Sequence, residues 1–124
     1  GIATLCETIT SQEEIVDSNS VKVVFDHRCH ALYFSRATIP WQGSASAKNC
    51  YRHIGIYAYR VAVLNQFVEW PVCELEVTEK LEQLRALYNG VGIHVAVSSE
   101  SIPPGVDTER DLELVRAHLK ASKA

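Results

Sequence analysis

Apolar and polar positions alternate most informatively along Tyr51 to Arg60, which reads YRHIGIYAYR. Successive side chains of a strand point to opposite faces, so Ile54, Ile56 and Ala58 share one face here. Tyr51, His53, Gly55, Tyr57 and Tyr59 fall on the other. The first is an ordinary core face. The second carries an imidazole and phenols around a glycine, where a strand gives up packing and backbone entropy. At ~3.3 Å per residue, His53 and Tyr57 are expected roughly 13 Å apart, with an open floor between them wide enough for a small polar ligand. A half-exposed edge strand whose Gly55 relieves crowding accounts for the same pattern.

The rest of the chain reads as strands and helices in alternation. Ile2 to Ile9 has strand character, and Ser11 with Glu14 makes a capping-box signature for a short helix through Asp17. Val21, Val23 and Phe25 alternate into a second strand, and a third runs from Ala31 to Thr38. Between them lies Asp26-His27-Arg28-Cys29-His30. Its ligand-type side chains invite a metal reading, but zinc sites draw on two separated pairs and no second pair matches. A hairpin tip is expected. In the third strand Leu32, Phe34 and Arg36 share a face, and an arginine there needs an anion, a structural ion-pair partner or a route to water. Ile39-Pro40 ends that strand, and Gly43 to Asn49 is a small, polar loop.

Val61, Leu64, Phe67 and Val68 fall at helical spacing before Trp70-Pro71 stops the helix. A further helix is predicted from about Glu76 to Tyr88, with Val77, Leu81, Leu84 and Tyr88 as its apolar stripe and Asn89-Gly90 as its stop. Glu76, Glu79 and Gln83 line an adjoining row beside Glu82 and read as a solvated face. Ile93, Val95 and Val97 alternate into a last strand. Pro103-Pro104-Gly105 then turns the chain into a final helix with Thr108 at its N-cap and Leu112, Val115 and Leu119 as its stripe. Asp107 falls at the strand-to-helix turn, where α/β proteins commonly place ligand groups and where turn chemistry also favours aspartate.

Composition narrows the class. A chain of 124 residues, 47% hydrophobic and 22% charged, suits one soluble domain with a modest core. A net charge of −3 with mixed signs argues against a nucleic-acid footprint. No apolar run approaches the ~20 residues of a membrane span, and the opening IATLCETI is strand-like rather than a signal peptide, which suits a piece of a larger protein. Four evenly scattered cysteines without a C-x-x-C pair suggest reduced thiols in a cytoplasmic protein.

Four blocks carry a family resemblance: YFSRATIPW (Tyr33 to Trp41), HIGIYAYR (His53 to Arg60), LEQLRAL (Leu81 to Leu87) and GVDT (Gly105 to Thr108). In order and spacing they resemble the CMP-Kdo synthetases, the 3-deoxy-manno-octulosonate cytidylyltransferases. The resemblance runs through essentially the whole chain but corresponds to the C-terminal half of those enzymes. Their RLPGK-type nucleotide loop and metal-binding aspartate have no counterpart here. The family usually has glycine where Cys29 stands, which suits a positive-φ turn.

The resemblance implies an α/β fold in which a mixed sheet with antiparallel strands is flanked by helices, part of a nucleotide-diphospho-sugar transferase-like fold. Residues 1–124 are then one domain, the sugar-binding and dimerisation half. The implied reaction is attack of the anomeric hydroxyl of Kdo on the α-phosphorus of CTP, giving CMP-Kdo and pyrophosphate for lipopolysaccharide synthesis. Arg36 would receive the sugar-acid end, His53 and Tyr57 would hydrogen-bond the sugar, and Glu82 and Gln83 would read its hydroxyls. Asp107 would bind Mg²⁺, with no catalytic residue separate from that ligand. A homodimer that needs the N-terminal half for activity is expected. A non-catalytic dimerisation or interaction module is the alternative.

Overall fold

The computed structural model describes residues 1–43 and 49–98. Part of the Gly43–Asn49 loop, the Pro103–Gly105 turn, Asp107, Thr108 and the final helix lie outside them. The described elements are β1 (Ile2–Thr8), α1 (Gln12–Ile15), β2 (Lys22–Phe25), β3 (Ala31–Ser35), β4 (Tyr51–Tyr59), α2 (Val61–Glu69), α3 (Glu74–Glu79), α4 (Leu84–Tyr88) and β5 (Ile93–Val97).

The strands form one mixed sheet in the order β3-β2-β4-β1-β5. β1–β4, β2–β3 and β2–β4 pair antiparallel, and β1–β5 pairs parallel. The sequence leads to this class because its apolar positions change period from strand to helix several times along a short chain. On one face Phe34, Val23, Ile93 and Val95 pack with Phe67 of α2 and Leu84 and Ala86 of α4. On the other, Ile54 and Ile56 join Ala3, Leu5 and Ala96, as the alternation in β4 requires.

The Asp26–His30 segment is the expected hairpin tip. An Asp26 carboxylate oxygen accepts the backbone N–H of Arg28 at 2.8 Å and of His30 at 3.0 Å. Cys29 takes the left-handed conformation, φ 64°, that a glycine adopts without a Cβ penalty. The tip reaches across to β5, where the Cys29 carbonyl accepts the Val95 N–H at 2.7 Å. All four cysteines are free thiols.

Three expectations are corrected. The single helix from Glu76 to Tyr88 is two, because Lys80 turns left-handed at φ 57° and the Leu81 N–H closes back onto the Glu76 carbonyl at 3.2 Å. Leu81 and Leu84 are buried, whereas Val77 and Tyr88 are exposed. The acidic row is not a solvated face: Glu76 pairs with Arg85, Glu79 is taken up by β3, and Glu82 stays exposed. The third strand ends at Ser35 rather than Thr38, since the Arg36 N–H leaves the ladder for the Glu79 carboxylate.

α1 also uses half of its capping box. Ser11 Oγ accepts the Glu14 N–H, while the Glu14 carboxylate turns to Ser20 Oγ and Arg52. Lys22, wholly buried, donates through Nζ to the carbonyls of Asp17 at 2.5 Å and Arg36 at 3.2 Å.

Candidate functional site

The site grows from an irregularity in β4. Thr4 pairs with Tyr57 and Leu5 with Ile54, so Gly55 and Ile56 have no partners on β1. His53 lies opposite Cys6 and Tyr57 opposite Thr4. Their partners are thus two steps apart on a regular strand, about 7 Å at ~3.3 Å per residue. The rings of His53 and Tyr57 accordingly meet at 5.3 Å between centroids. This overturns the expected 13 Å separation and its open floor. Nor does Gly55 relieve crowding, for a Cβ there meets nothing within 4 Å.

His53 is buried and held on four sides. Phe34 meets it edge-on with centroids 4.8 Å apart, and Tyr57 packs tilted beside it. Its Nε2 lies 2.9 Å from Thr4 Oγ1, and its Nδ1 faces Gln83 Nε2 at a long 3.5 Å. Burial lowers its pKa to about 4, so the imidazole is neutral near pH 7. The Tyr57 and Tyr59 rings lie 5.7 Å apart. Burial raises both phenol pKa values, and the carboxylate of Glu82 adds to the effect on each. Both therefore stay protonated and able to donate.

The turn between α3 and α4 brings Gln83 to His53 and leaves Glu82 exposed near the two phenols. Arg36 anchors that turn. Its Nε donates to the Glu79 carbonyl at 3.0 Å, one Nη to Ser18 at 3.1 Å and the other to Lys80 at 3.3 Å. Arg36 of the YFSR block is therefore bound to Glu79 and Lys80, immediately before LEQLR, and HIGIY meets LEQLR through His53 and Gln83. Asp107 lies outside the described residues.

Two residues escaped the sequence reading. Thr4 is wholly buried under the irregularity of β4; its one signal was a polar residue within apolar IATL. Glu79 accepts Tyr33 OH at 3.0 Å and Ser35 Oγ at 2.8 Å. Nothing in its helical spacing separates it from a solvated acid. Among the described residues, no group of three His, Cys, Asp or Glu side chains could hold a metal ion.

A family model described as cytidylyltransferase matches residues 1–102. The 3-deoxy-manno-octulosonate cytidylyltransferase of Alcanivorax borkumensis is 52% identical over 95% of this chain and 50% of its own length. That of Saccharophagus degradans is 52% identical over 97% of this chain and 51% of its own. A solved CMP:2-keto-3-deoxy-manno-octonic acid synthetase complexed with CTP has a TM-score of 0.76 at 42% identity, covering 99% of this chain and 50% of that one. The chain spans about half the length of the curated relatives it matches. The five-stranded mixed sheet and its helices are those of a nucleotide-diphospho-sugar transferase-like fold. On its sequence and its architecture alike, this chain belongs to the cytidylyltransferase family.

Proposed function

We propose that this chain is the sugar-binding half of an enzyme that activates Kdo with CTP, releasing CMP-Kdo and pyrophosphate. The observation that carries the reading is the meeting of His53 and Gln83, which joins two of the family's motif blocks at one point on the sheet. Neutral phenol and amide groups suit sugar hydroxyls, since they exchange hydrogen bonds without a charge to desolvate. Both ring nitrogens of His53 are taken, by Thr4 and by Gln83, so the imidazole would hold the amide in place instead of bonding the sugar itself. Tyr57 and Glu82 flank that point. Arg36 carries the acid-end assignment on the motif: three carbonyls hold its planar fork, and its remaining N–H groups would meet a carboxylate.

Two anionic reactants must be brought together, so catalysis rests chiefly on positioning and charge neutralisation. Mg²⁺ would supply the neutralisation when bound. Asp107 would be this chain's ligand for it, since no group of three His, Cys, Asp or Glu side chains among the described residues could hold a metal ion.

The test is titration of Kdo into the chain, following the side-chain NMR signals of His53 and Gln83. Saturable shifts are expected with Kdo and none with an uncharged hexose. A folded chain whose signals ignore millimolar Kdo would end this reading. Pyrophosphate release should need a second chain carrying the N-terminal half; turnover by the purified chain alone would refute the half-enzyme assignment.

A second reading, an assembly module without chemistry of its own, draws on apolar side chains left in water. Val61, Val68, Val72 and Val77 are each at least 60% exposed. The two readings are compatible if the sugar-binding half also joins two copies into a homodimer. No helix among the described residues is long and apolar enough to cross a membrane, and a CTP-dependent reaction would place the protein in the cytoplasm.

A further inference from the structure

We infer that Thr4 is a positioning residue that sets the tautomer of His53 and, through it, the orientation of the Gln83 amide. Thr4 is wholly buried, and its hydroxyl has a single proton to give. Two carbonyls of the irregular stretch face that hydroxyl, Ile56 at 2.7 Å and Ile54 at 3.2 Å. The proton goes to the closer, Ile56. A lone pair is left toward His53 Nε2 at 2.9 Å, so that nitrogen carries the ring proton and donates it.

A neutral imidazole protonated at Nε2 is an acceptor at Nδ1. The group facing Nδ1 is Gln83 Nε2, an amide donor. The chain of hydrogen bonds thus runs in one direction, from Gln83 through His53 and Thr4 to the Ile56 carbonyl. Reversing the tautomer would place two donors against each other at Gln83 and turn its amide over. With the amide nitrogen occupied by His53, the Gln83 carbonyl oxygen points away from the ring, free to accept from a hydroxyl. This inference rests on the proposed sugar-binding role for its consequence, but not for the tautomer itself.

The experiment is a long-range ¹H–¹⁵N spectrum of the histidine rings in the chain, with Thr4→Val and Thr4→Ser as variants. Wild type and Thr4→Ser should show His53 protonated at Nε2. Thr4→Val keeps the shape and loses the hydroxyl, and should show a mixture or the Nδ1–H form. A wild-type ring protonated at Nδ1 overturns the inference outright, whether or not the valine variant folds. So does a folded Thr4→Val whose ring still carries its proton wholly at Nε2.

In Kdo titrations, Thr4→Val should bind about tenfold more weakly, the loss expected for one neutral hydrogen bond, and Thr4→Ser should stay close to wild type. Equal Kdo affinity in a folded Thr4→Val with an altered tautomer would overturn the positioning role. Absence of Kdo binding in wild type with the tautomer as expected would instead overturn the sugar-binding reading.

Discussion

Arg36 and Glu79 hold each other twice. Arg36 Nε donates to the Glu79 carbonyl at 3.0 Å, while a Glu79 carboxylate oxygen accepts the Arg36 backbone N–H at 3.2 Å. The guanidinium also satisfies the Lys80 carbonyl, so it closes α3 and fixes the turn that presents Glu82 and Gln83. A lysine is a point charge and cannot serve three carbonyls in one plane. Arg36→Lys should therefore cost roughly 1–3 kcal/mol in urea unfolding and shift the His53 ring signals. If stability is unchanged and Kdo affinity alone falls, the arginine serves the ligand and not the turn.

His53 makes the fold acid-sensitive. Its folded pKa of about 4 lies below the ordinary value of ~6.5, because burial disfavours the charged ring. Above pH 6.5 both states are neutral and nothing is lost. Between 6.5 and about 4 the unfolded chain binds a proton that the folded chain refuses, so stability falls with pH by at most about 1.4 kcal/mol per unit. Urea midpoints from pH 7.5 to 4.5 should show this slope, and His53→Gln should flatten it. An equal slope in both proteins would place the acid sensitivity elsewhere.

Glu76 adds a lower window. Two Arg85 donors at 2.5 and 2.8 Å hold its carboxyl below the usual range, and Arg85 also lies over the Phe67 ring at 4.7 Å. The stabilisation is complete above the ordinary carboxyl value of about 4.3 and is lost as pH falls through the depressed one. Glu76→Gln should cost about 1–3 kcal/mol at pH 7, between exposed and buried pairs, with the difference from wild type shrinking toward pH 2.

Cys29 stands where glycine is cheaper. A left-handed φ of 64° places its Cβ in strain of about 1 kcal/mol. Cys29→Gly should raise the melting temperature by a few degrees and Cys29→Val should lower it. Opposite signs would mean that the thiol makes a contact worth more than the backbone strain.

The outer face of α2 predicts self-association. Val61 and Val68 are about 70% exposed and Leu64 44%, with Phe67 the buried member of the helical stripe. Sedimentation velocity across a hundredfold concentration range should show a concentration-dependent dimer, weakened by the pair Val61→Glu and Val68→Glu. A monomer throughout would instead suit a face covered by the additional length that the relatives possess.

The period of the apolar residues, read along the chain alone, determined the two faces of β4, the alternating β5, the reach of α2 and the stop at Asn89-Gly90. These are local properties: neighbouring residues decide them through backbone sterics and burial of one face. The motif blocks likewise marked His53, Tyr57, Glu82 and Gln83 as a group. What the chain did not reveal depends on partners far along it. The separation of His53 and Tyr57 follows from a break in pairing against β1, and the carbonyls of that break meet the hydroxyl of Thr4, some 50 residues away in sequence. The left-handed Lys80 that divides one predicted helix into α3 and α4 has its carbonyl, and that of Glu79, bonded by Arg36, 43 residues before Glu79. A helical period continues through Lys80 on paper, because periodicity records which faces are apolar and not which carbonyls a distant guanidinium has claimed.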